Sequence, residues 1–211
     1  MWCIFGIMDI FIVRHTKVAI DSNLCYGTSD IPLADSFPRE AALVKERLMK
    51  WYPFDAVYSS PLSRAYKLAQ ALQEKGKKII QDDRLKEIEF GPWELVTWKD
   101  IGLQKFSTWV KEVKENGLPM ETYRDVTARL KSFFDELVEK NPGERILITT
   151  HSGPIRCILA LYSGTPLSNI FNYRISYGGI LHLEYERFTE QDYKKYPNIL
   201  LPKMSIMGYN I

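Results

Sequence analysis

Two short apolar runs constrain the fold of this chain more than any other feature of its sequence. Residues 10–13 (Ile-Phe-Ile-Val) and 146–150 (Ile-Leu-Ile-Thr-Thr) have the length of strands, yet they lack the apolar–polar alternation of a half-exposed strand. Continuous apolar strands are typical of a sheet that is covered on both faces. The pattern therefore predicts an α/β protein whose central strands lie between two layers of helices.

Helical and strand patterns alternate between these two runs. Apolar residues recur at three- and four-residue steps after Pro38, after Pro61 and after Glu121, which predicts three helices. Stop signals follow at Gly76 and at residues 141–143. Weaker strand patterns occupy residues 55–58 and 78–80, and residues 180–185 alternate like an edge or antiparallel strand. We therefore expect a three-layer α/β/α sandwich with a mostly parallel sheet.

The length of 211 residues suits one domain that spans residues 1–211. Residues 98–119 carry an extra helical pattern, which we interpret as a small helical cap inserted over one end of the sheet. Residues 1–8 are apolar but lack a basic leader, and a second methionine, Met8, directly precedes the first strand. We therefore expect no signal peptide and no membrane anchor, and we interpret Met8 as the natural start.

Charge and cysteine content exclude several classes of function. Lysine and arginine number 28 against 26 aspartates and glutamates, and a net charge of +2 gives no basic footprint for nucleic acid. Cys3, Cys25 and Cys157 are far apart, and their spacing fits neither a disulfide scaffold nor a zinc site. We expect a cytoplasmic protein in a reducing compartment that uses no cofactor or metal and binds neither nucleic acid nor membrane. The sequence does not specify an oligomeric state.

Ionisable residues follow four of the predicted strands. Ligands of a doubly wound sheet bind outside the carboxyl ends of its strands, so these junctions are where a site is expected. Singly, such residues are more often capping, core or surface groups, but their occurrence at four junctions favours a shared site. The third histidine, His182, lies in an alternating strand pattern and is interpreted as an ordinary strand residue. The junction residues are, in chain order, Arg14 and His15, Arg64, Glu87, and His151.

This combination of side chains indicates phosphoryl chemistry. Guanidinium groups match phosphate oxygens bidentately, and helix N-termini expected after Pro61 and Pro154 would add N–H donors. A neutral imidazole is a competent nucleophile at phosphorus, and neighbouring cations lower its pKa so that its lone pair stays available. A carboxylic acid can protonate the leaving oxygen and then, as carboxylate, activate water. We therefore expect a small phosphate ester as substrate and a covalent phosphohistidine as intermediate.

Four motifs carry these residues. In chain order they are Phe11-Ile-Val-Arg-His15, Tyr58-Ser-Ser-Pro-Leu-Ser-Arg64, Leu85-Lys-Glu87-Ile-Glu-Phe-Gly91 and Thr150-His151-Ser-Gly-Pro-Ile-Arg156. Together they resemble the motifs of the histidine phosphatase superfamily, in its phosphoglycerate-mutase-like branch, from about Asp9 to Tyr185. The resemblance implies the corresponding α/β fold and a phosphatase activity that needs no metal.

The resemblance also implies a role for each junction residue. His15 corresponds to the phosphorylated nucleophile, and Arg14, Arg64 and His151 correspond to the residues that hold the phosphoryl oxygens. Glu87 corresponds to the group that donates a proton to the leaving oxygen and then acts as base.

Glu87 is one of three neighbouring glutamates. Glu89 and Glu94 follow it closely, but Glu87 alone has the family position four residues before Gly91. The resemblance therefore implies Glu87 as the proton donor.

Other positions depart from the family pattern. Thr16 and Lys17 follow His15 where the family usually has glycine and then glutamate or glutamine, and Asp21 stands where an asparagine often holds the phosphate. The loop Cys25-Tyr-Gly-Thr-Ser-Asp-Ile-Pro-Leu33 resembles that of the α-ribazole-phosphate phosphatase group. This resemblance implies α-ribazole 5′-phosphate, from cobalamin nucleotide-loop assembly, as the favoured substrate.

Three alternatives stay open. The first is a phosphatase of the same chemistry that acts on a sugar phosphate or another small metabolite. The second is a mutase, although the arginine that mutases usually carry before the loop glycine Gly27 is absent. The third is a catalytically inactive phosphate-binding module, which the full set of junction residues disfavours. Candidate contacts for a substrate base ring are Tyr26, Trp93 and Tyr177, because flat side chains stack well.

Overall fold

The structure is a computed structural model that describes residues 7–74, 76–111, 121–186 and 203–210. Within these ranges the strands are β1 (Met8–Arg14), β2 (Ala56–Ser59), β3 (Ile79–Gln81), β4 (Arg145–Thr150), β5 (Ile180–Glu186) and β6 (Lys203–Asn210). The helices are α1 (Phe37–Leu48), α2 (Ser63–Leu72), α3 (Trp98–Ile101), α4 (Leu103–Val110), α5 (Tyr123–Lys140) and α6 (Ser152–Ser163). Short 3₁₀ helices occupy residues 49–51, 83–85, 91–93 and 167–172.

The strands form one sheet in the order β3-β2-β4-β1-β5-β6. The pairs β3–β2, β2–β4 and β4–β1 are parallel, whereas β5 pairs antiparallel with both β1 and β6. Thr149 is in register with Val13 on one side and with Ser59 on the other. The carboxyl ends of β1, β2 and β4 therefore meet at one edge of the sheet.

The apolar runs are continuous because their two faces serve two cores. Phe11 and Val13 of β1 pack with residues of α1 and α2, whereas Ile10 and Ile12 pack with residues of α5 and α6. All four side chains are at most 1% exposed. This arrangement confirms the predicted α/β/α sandwich with a mostly parallel sheet.

The helix boundaries follow local signals. Thr122 and Asp125 form a reciprocal capping box at the start of α5, which typically contributes about 1 kcal/mol. That helix ends at Lys140, directly before the predicted stop at residues 141–143. The α2 helix ends at Leu72, four residues before the predicted stop at Gly76, which has a φ of +90°.

The region of the predicted cap is helical where the structure describes it. The helices α3 and α4 lie within residues 98–111, and Trp109 of α4 is buried with its Nε1–H donating to the carbonyl of Glu121 at 3.1 Å. Residues 112–119 of the predicted insertion, residues 1–6 of the predicted extension and Cys3 lie outside the described residues. The single-domain and cap assignments stay predictions.

The strand β6 has no counterpart among the strands that the sequence pattern predicts. This strand extends the sheet beyond β5, which is antiparallel as predicted and is no longer the edge strand. The register shifts between His182 and Leu183, because Met207 of β6 lies between their partners Gly208 and Ile206 and has no partner in β5. No helix in the described ranges is long and apolar enough to cross a membrane.

Candidate active site

His15 lies at the carboxyl edge of the sheet, directly after β1. Its backbone N–H donates to the carbonyl of Thr150 at 2.9 Å, and its carbonyl accepts the N–H of Gly178 at 3.2 Å. Its ring is 1% exposed, and Nδ1 lies 2.7 Å from the carbonyl oxygen of Thr16. A carbonyl only accepts, so Nδ1 carries the proton and Nε2 carries the lone pair.

The electrostatic surroundings keep this imidazole neutral. Burial lowers the pKa of His15 well below its ordinary value, and the charges of Arg14 and Arg64 lower it further. The hydrogen bond to Thr16 acts in the opposite direction but is the smallest contribution. The Nε2 lone pair is therefore available at neutral pH.

His151 lies beside His15, at the end of β4. The centroids of the two rings are 5.2 Å apart, and His151 Nε2 lies 2.8 Å from the hydroxyl of Ser60. That hydroxyl also accepts the N–H of Leu62 at 3.3 Å. When Ser60 donates to Nε2, the proton of His151 resides on Nδ1. Burial, followed by the charge of Arg64, lowers the pKa of His151 well below its ordinary value.

Two arginines surround the histidines. Arg14 Nη1 donates to the carbonyl of Ile175 at 2.5 Å, and its Cζ lies 3.9 Å from the ring centroid of Tyr177. Arg64 is fully buried, and its Nη1 and Nη2 donate to the carbonyls of Ser29 and Gly27. The ion pairs found among the described residues include neither arginine. Both guanidinium charges are therefore available to an anion.

Four buried polar atoms around His15 have no hydrogen-bond partner within the described part of the chain. They are Arg14 Nε, Thr16 Oγ1, Arg64 Nε and His151 Nδ1. Buried polar groups are normally hydrogen-bonded. Both arginine Nε atoms are N–H donors, and His151 Nδ1 is a third when Ser60 donates to its Nε2. The cluster is suited to an oxyanion. Thr16 is a site residue whose role the sequence analysis did not assign.

Glu87 lies at the N-terminus of α6. Both of its carboxylate oxygens accept the N–H of Gly153, at 3.1 and 3.2 Å, and Oε2 accepts the hydroxyl of Ser152 at 3.2 Å. A Cβ at Gly153 would lie 2.2 Å from Glu87 Oε1, so only glycine leaves room for the carboxylate here. Glu87 is thus held at a defined place, 7% exposed.

A cavity of about 440 Å³ opens beside these residues. Arg14 and Glu87 both line it, which places the predicted proton donor and one predicted phosphate ligand on the same cavity. Tyr26 and Tyr177 also line it, and their hydroxyls lie 3.0 Å apart. Other aromatic side chains of the wall are Phe90, Trp98, Phe106, Tyr123 and Phe171.

Several residues of this region have structural roles instead of lining the site. Trp93 is 3% exposed and packs its ring against Trp109 at 5.6 Å, so it belongs to the core and not to the cavity wall. Asp21 is exposed, and its Oδ1 accepts the N–H of Asn23, which closes its own turn. One N–H at each helix N-terminus has an internal acceptor, since that of Ser63 donates to Asp30 and that of Gly153 donates to Glu87. Moreover, α6 begins at Ser152, before Pro154.

Among the residues that the structure describes, one group of side chains could hold a metal ion, and it lies away from His15. Asp9, His182 and Glu184 place their ligand atoms within 4.8 Å of one another, at the opposite end of β1 from Arg14. His182 Nε2 lies 2.6 Å from Asp9 Oδ1, so an ordinary hydrogen bond accounts for this contact. The expectation that the reaction uses no metal stays a prediction.

Comparison with known proteins identifies the family. Residues 10–194 match the family described as histidine phosphatase superfamily (branch 1). Phosphoserine phosphatase 1 of Hydrogenobacter thermophilus is 27% identical over 85% of this chain and 89% of that protein. Adenosylcobalamin/alpha-ribazole phosphatase of Salmonella typhimurium is 25% identical over 81% of this chain and 87% of that protein. The crystal structure of a phosphoserine phosphatase mutant from Entamoeba histolytica has a TM-score of 0.77 at 19% identity, and the match covers 96% of each chain. The chain therefore belongs to the histidine phosphatase superfamily.

Proposed function

We propose that this histidine phosphatase hydrolyses small phosphate monoesters through a phosphohistidine on His15, without a metal ion. One observation carries the proposal. A neutral imidazole with its lone pair on Nε2 lies beside two buried arginine N–H donors and His151 Nδ1, none of which has a partner in the described ranges. Preorganised donors of this kind stabilise the charge that develops on phosphoryl oxygens.

The phosphorylation step follows from this placement. The phosphoryl oxygens bind to Arg14 Nε, Arg64 Nε and His151 Nδ1. His15 Nε2 attacks phosphorus, and the bond from phosphorus to the leaving oxygen breaks. The carboxyl group of Glu87, on the wall of the adjoining cavity, gives its proton to that oxygen.

The hydrolysis step reverses the role of the glutamate. Once the leaving group departs, the Glu87 carboxylate takes a proton from a water molecule. The resulting hydroxide attacks phosphorus, the bond from His15 Nε2 to phosphorus breaks, and inorganic phosphate leaves. The hydrogen bonds from Gly153 and Ser152 hold the carboxylate in one place through both steps.

We propose α-ribazole 5′-phosphate as the substrate. The cavity of about 440 Å³ with aromatic walls suits a flat base, because aromatic side chains stack on rings. Tyr26 comes from the loop that resembles the α-ribazole-phosphate phosphatase group, and it lines this cavity. The likeness to the Salmonella typhimurium α-ribazole phosphatase gives independent support.

A second candidate substrate is phosphoserine. Arg156 lines the same cavity, and its Nε donates to the carbonyl of Tyr173 at 3.1 Å. No ion pair of Arg156 occurs within the described ranges, so its guanidinium could bind a substrate carboxylate. The likeness to phosphoserine phosphatase 1 of Hydrogenobacter thermophilus favours the same candidate.

A panel of phosphate esters ranked by kcat/KM separates these candidates, because discrimination between substrates is expressed in that ratio. We expect α-ribazole 5′-phosphate to exceed ribose 5-phosphate by at least about tenfold, or 1.4 kcal/mol. Activity on p-nitrophenyl phosphate should survive EDTA. A preference for phosphoserine would replace the proposed substrate, and product analysis with 3-phosphoglycerate would reveal a mutase. A lack of activity on every ester would reject the enzyme.

A further inference from the structure

Glu94 binds a loop that the proposed reaction does not use directly. Its carboxylate accepts the backbone N–H groups of Gly27, Thr28 and Ser29 at 3.0 to 3.2 Å, and the Ser29 hydroxyl at 2.5 Å. It also accepts the N–H of Phe90 at 3.2 Å. Three successive N–H groups of residues 27–29, named here the 27–29 loop, thus converge on one carboxylate.

The contact is close enough to require particular residues. A Cβ at Gly27 would lie 1.9 Å from the carbonyl oxygen of Ile88 and 2.8 Å from Glu94 Oε1. The flanking backbones are joined as well, because the N–H of Leu95 donates to the carbonyl of Cys25 at 2.7 Å. Leu95 has a φ of +62°, a conformation that is costly for a residue with a side chain. The surrounding contacts therefore impose this geometry.

The opposite side of the 27–29 loop binds Arg64. The carbonyl of Gly27 accepts Nη2 at 2.5 Å, and the carbonyl of Ser29 accepts Nη1 at 2.8 Å. The peptide groups of the loop thus connect a carboxylate on their N–H side to a guanidinium on their carbonyl side. Hydrogen bonds arranged in such a chain polarise and strengthen one another.

We propose that Glu94 is a positioning residue, which holds the 27–29 loop and thereby orients Arg64 with its Nε towards the phosphoryl group. The inference rests on the proposed function, in which Arg64 holds a phosphoryl oxygen. The two hydrogen bonds that Nη1 and Nη2 donate to the loop carbonyls restrict the rotation of the guanidinium plane. A loosened loop would therefore misdirect the Nε donor without removing it.

The ionised form of Glu94 is needed for this role. Burial opposes ionisation, but the hydrogen bonds from Ser29, Gly27 and Thr28 outweigh it and lower the pKa of Glu94 below its ordinary value. A glutamine has one acceptor oxygen, and its NH₂ group would face N–H donors. Glu94→Gln should therefore release part of the loop.

The test compares Glu94→Gln with Glu89→Gln, the same change at a nearby exposed position outside this network. Hydrogen exchange of the peptide that contains the 27–29 loop reports the contact, and calorimetric titration with inorganic phosphate reports the orientation of Arg64. We expect faster exchange and about tenfold weaker phosphate binding, or 1.4 kcal/mol, for Glu94→Gln. Glu89→Gln should match the wild type in both.

A double-mutant cycle with Arg64→Lys separates positioning from general destabilisation. If Glu94 acts through Arg64, Glu94→Gln should weaken phosphate binding less than about twofold in the Arg64→Lys background. Additive losses would overturn the proposal. Should Glu94→Gln not fold, Ser29→Ala removes only the hydroxyl contact and is expected to weaken phosphate binding about threefold.

The two readouts distinguish failure of this inference from failure of the proposed function. Unchanged exchange, or faster exchange with unchanged phosphate affinity, overturns the positioning role while the phosphatase assignment stands. If the wild-type protein neither binds phosphate nor hydrolyses esters, both the positioning role and the phosphatase assignment are rejected. The exchange data then report the loop contact alone.

Discussion

At the scale of single residues, the site depends on which atom of each side chain stays available. One ring nitrogen of His15 contacts Thr16, and one ring nitrogen of His151 contacts Ser60. The other nitrogen of each ring is left for a ligand. Arg64 is anchored in the same way, by its Nη atoms. Internal hydrogen bonds thus fix the direction of each functional atom, which is a form of preorganisation.

Tyr26 tests the proposed base-binding wall. Tyr26→Ala should narrow the kcat/KM gap between α-ribazole 5′-phosphate and ribose 5-phosphate, because only the substrate with a ring loses a stacking partner. Tyr26→Phe is the matched control, since it removes the hydroxyl near Tyr177 but keeps the ring. It should preserve most of the gap. Equal losses on both esters in the alanine variant would remove Tyr26 from substrate recognition.

The sequence predicts the residues with a charge or an imidazole at the strand ends, because strand order alone brings those ends together. It does not predict Ser60, Thr16 or the contacts of Glu94. Their roles depend on hydrogen bonds with residues that are distant in the chain, as for Glu94, which is 67 positions from Gly27. Trp93 was assigned wrongly because a buried aromatic and a stacking aromatic look alike in a sequence.

At the scale of elements, the N-terminus of α6 positions both a proposed phosphoryl ligand and the proposed proton donor. His151 is its N-cap residue, and its second residue, Gly153, binds the Glu87 carboxylate. The alternation of helices and strands was predictable because apolar periodicity is local, whereas β6 was not. Its pairing depends on β5, and the apolar residues Ile206 and Met207 are adjacent, which breaks the alternation of its pattern.

Gly153→Ala tests this arrangement at α6. The added Cβ would lie 2.2 Å from Glu87 Oε1, so the carboxylate has to move. Alanine in a helix is favoured over glycine by up to about 1 kcal/mol, so the fold should not lose stability. We expect kcat to fall at least about tenfold, as misplaced catalytic groups cause, with an unchanged thermal midpoint. Full activity in this variant would show that the position of Glu87 is not critical.

At the scale of the whole molecule, a buried cluster of cations and neutral imidazoles has a cost in stability. Arg64, His15 and His151 are each at most 1% exposed. The fold places them at the edge of a sheet whose two cores hold the strands rigidly. The packing of the two cores thus offsets the unfavourable free energy of burying these charged and polar groups without an anion.

The lowered pKa values of the two histidines predict a pH dependence of stability. Because the folded pKa lies below the unfolded value of about 6.5, the unfolded state binds more protons as the pH falls below it. The free energy of unfolding should therefore decrease below about pH 6.5, by about 1 kcal/mol per histidine between about pH 7.5 and about pH 5.5. Urea denaturation at these two pH values measures it.

The matched variant for this measurement is His15→Gln, which removes one of the two titrating groups. Between the same two pH values it should lose about 1 kcal/mol less stability than the wild type. Identical losses in both proteins would mean that His15 titrates normally in the folded state.

The most direct test of the central claim is the detection of phosphate on His15. In Glu87→Gln, p-nitrophenolate can depart without a proton, but the water that hydrolyses the intermediate lacks its base. The phosphoenzyme should therefore accumulate. We expect a burst of about one p-nitrophenolate per protein and an acid-labile phosphate that mass spectrometry maps to His15. The absence of a burst, phosphate on another residue, or near-wild-type turnover by His15→Asn would contradict the phosphohistidine mechanism.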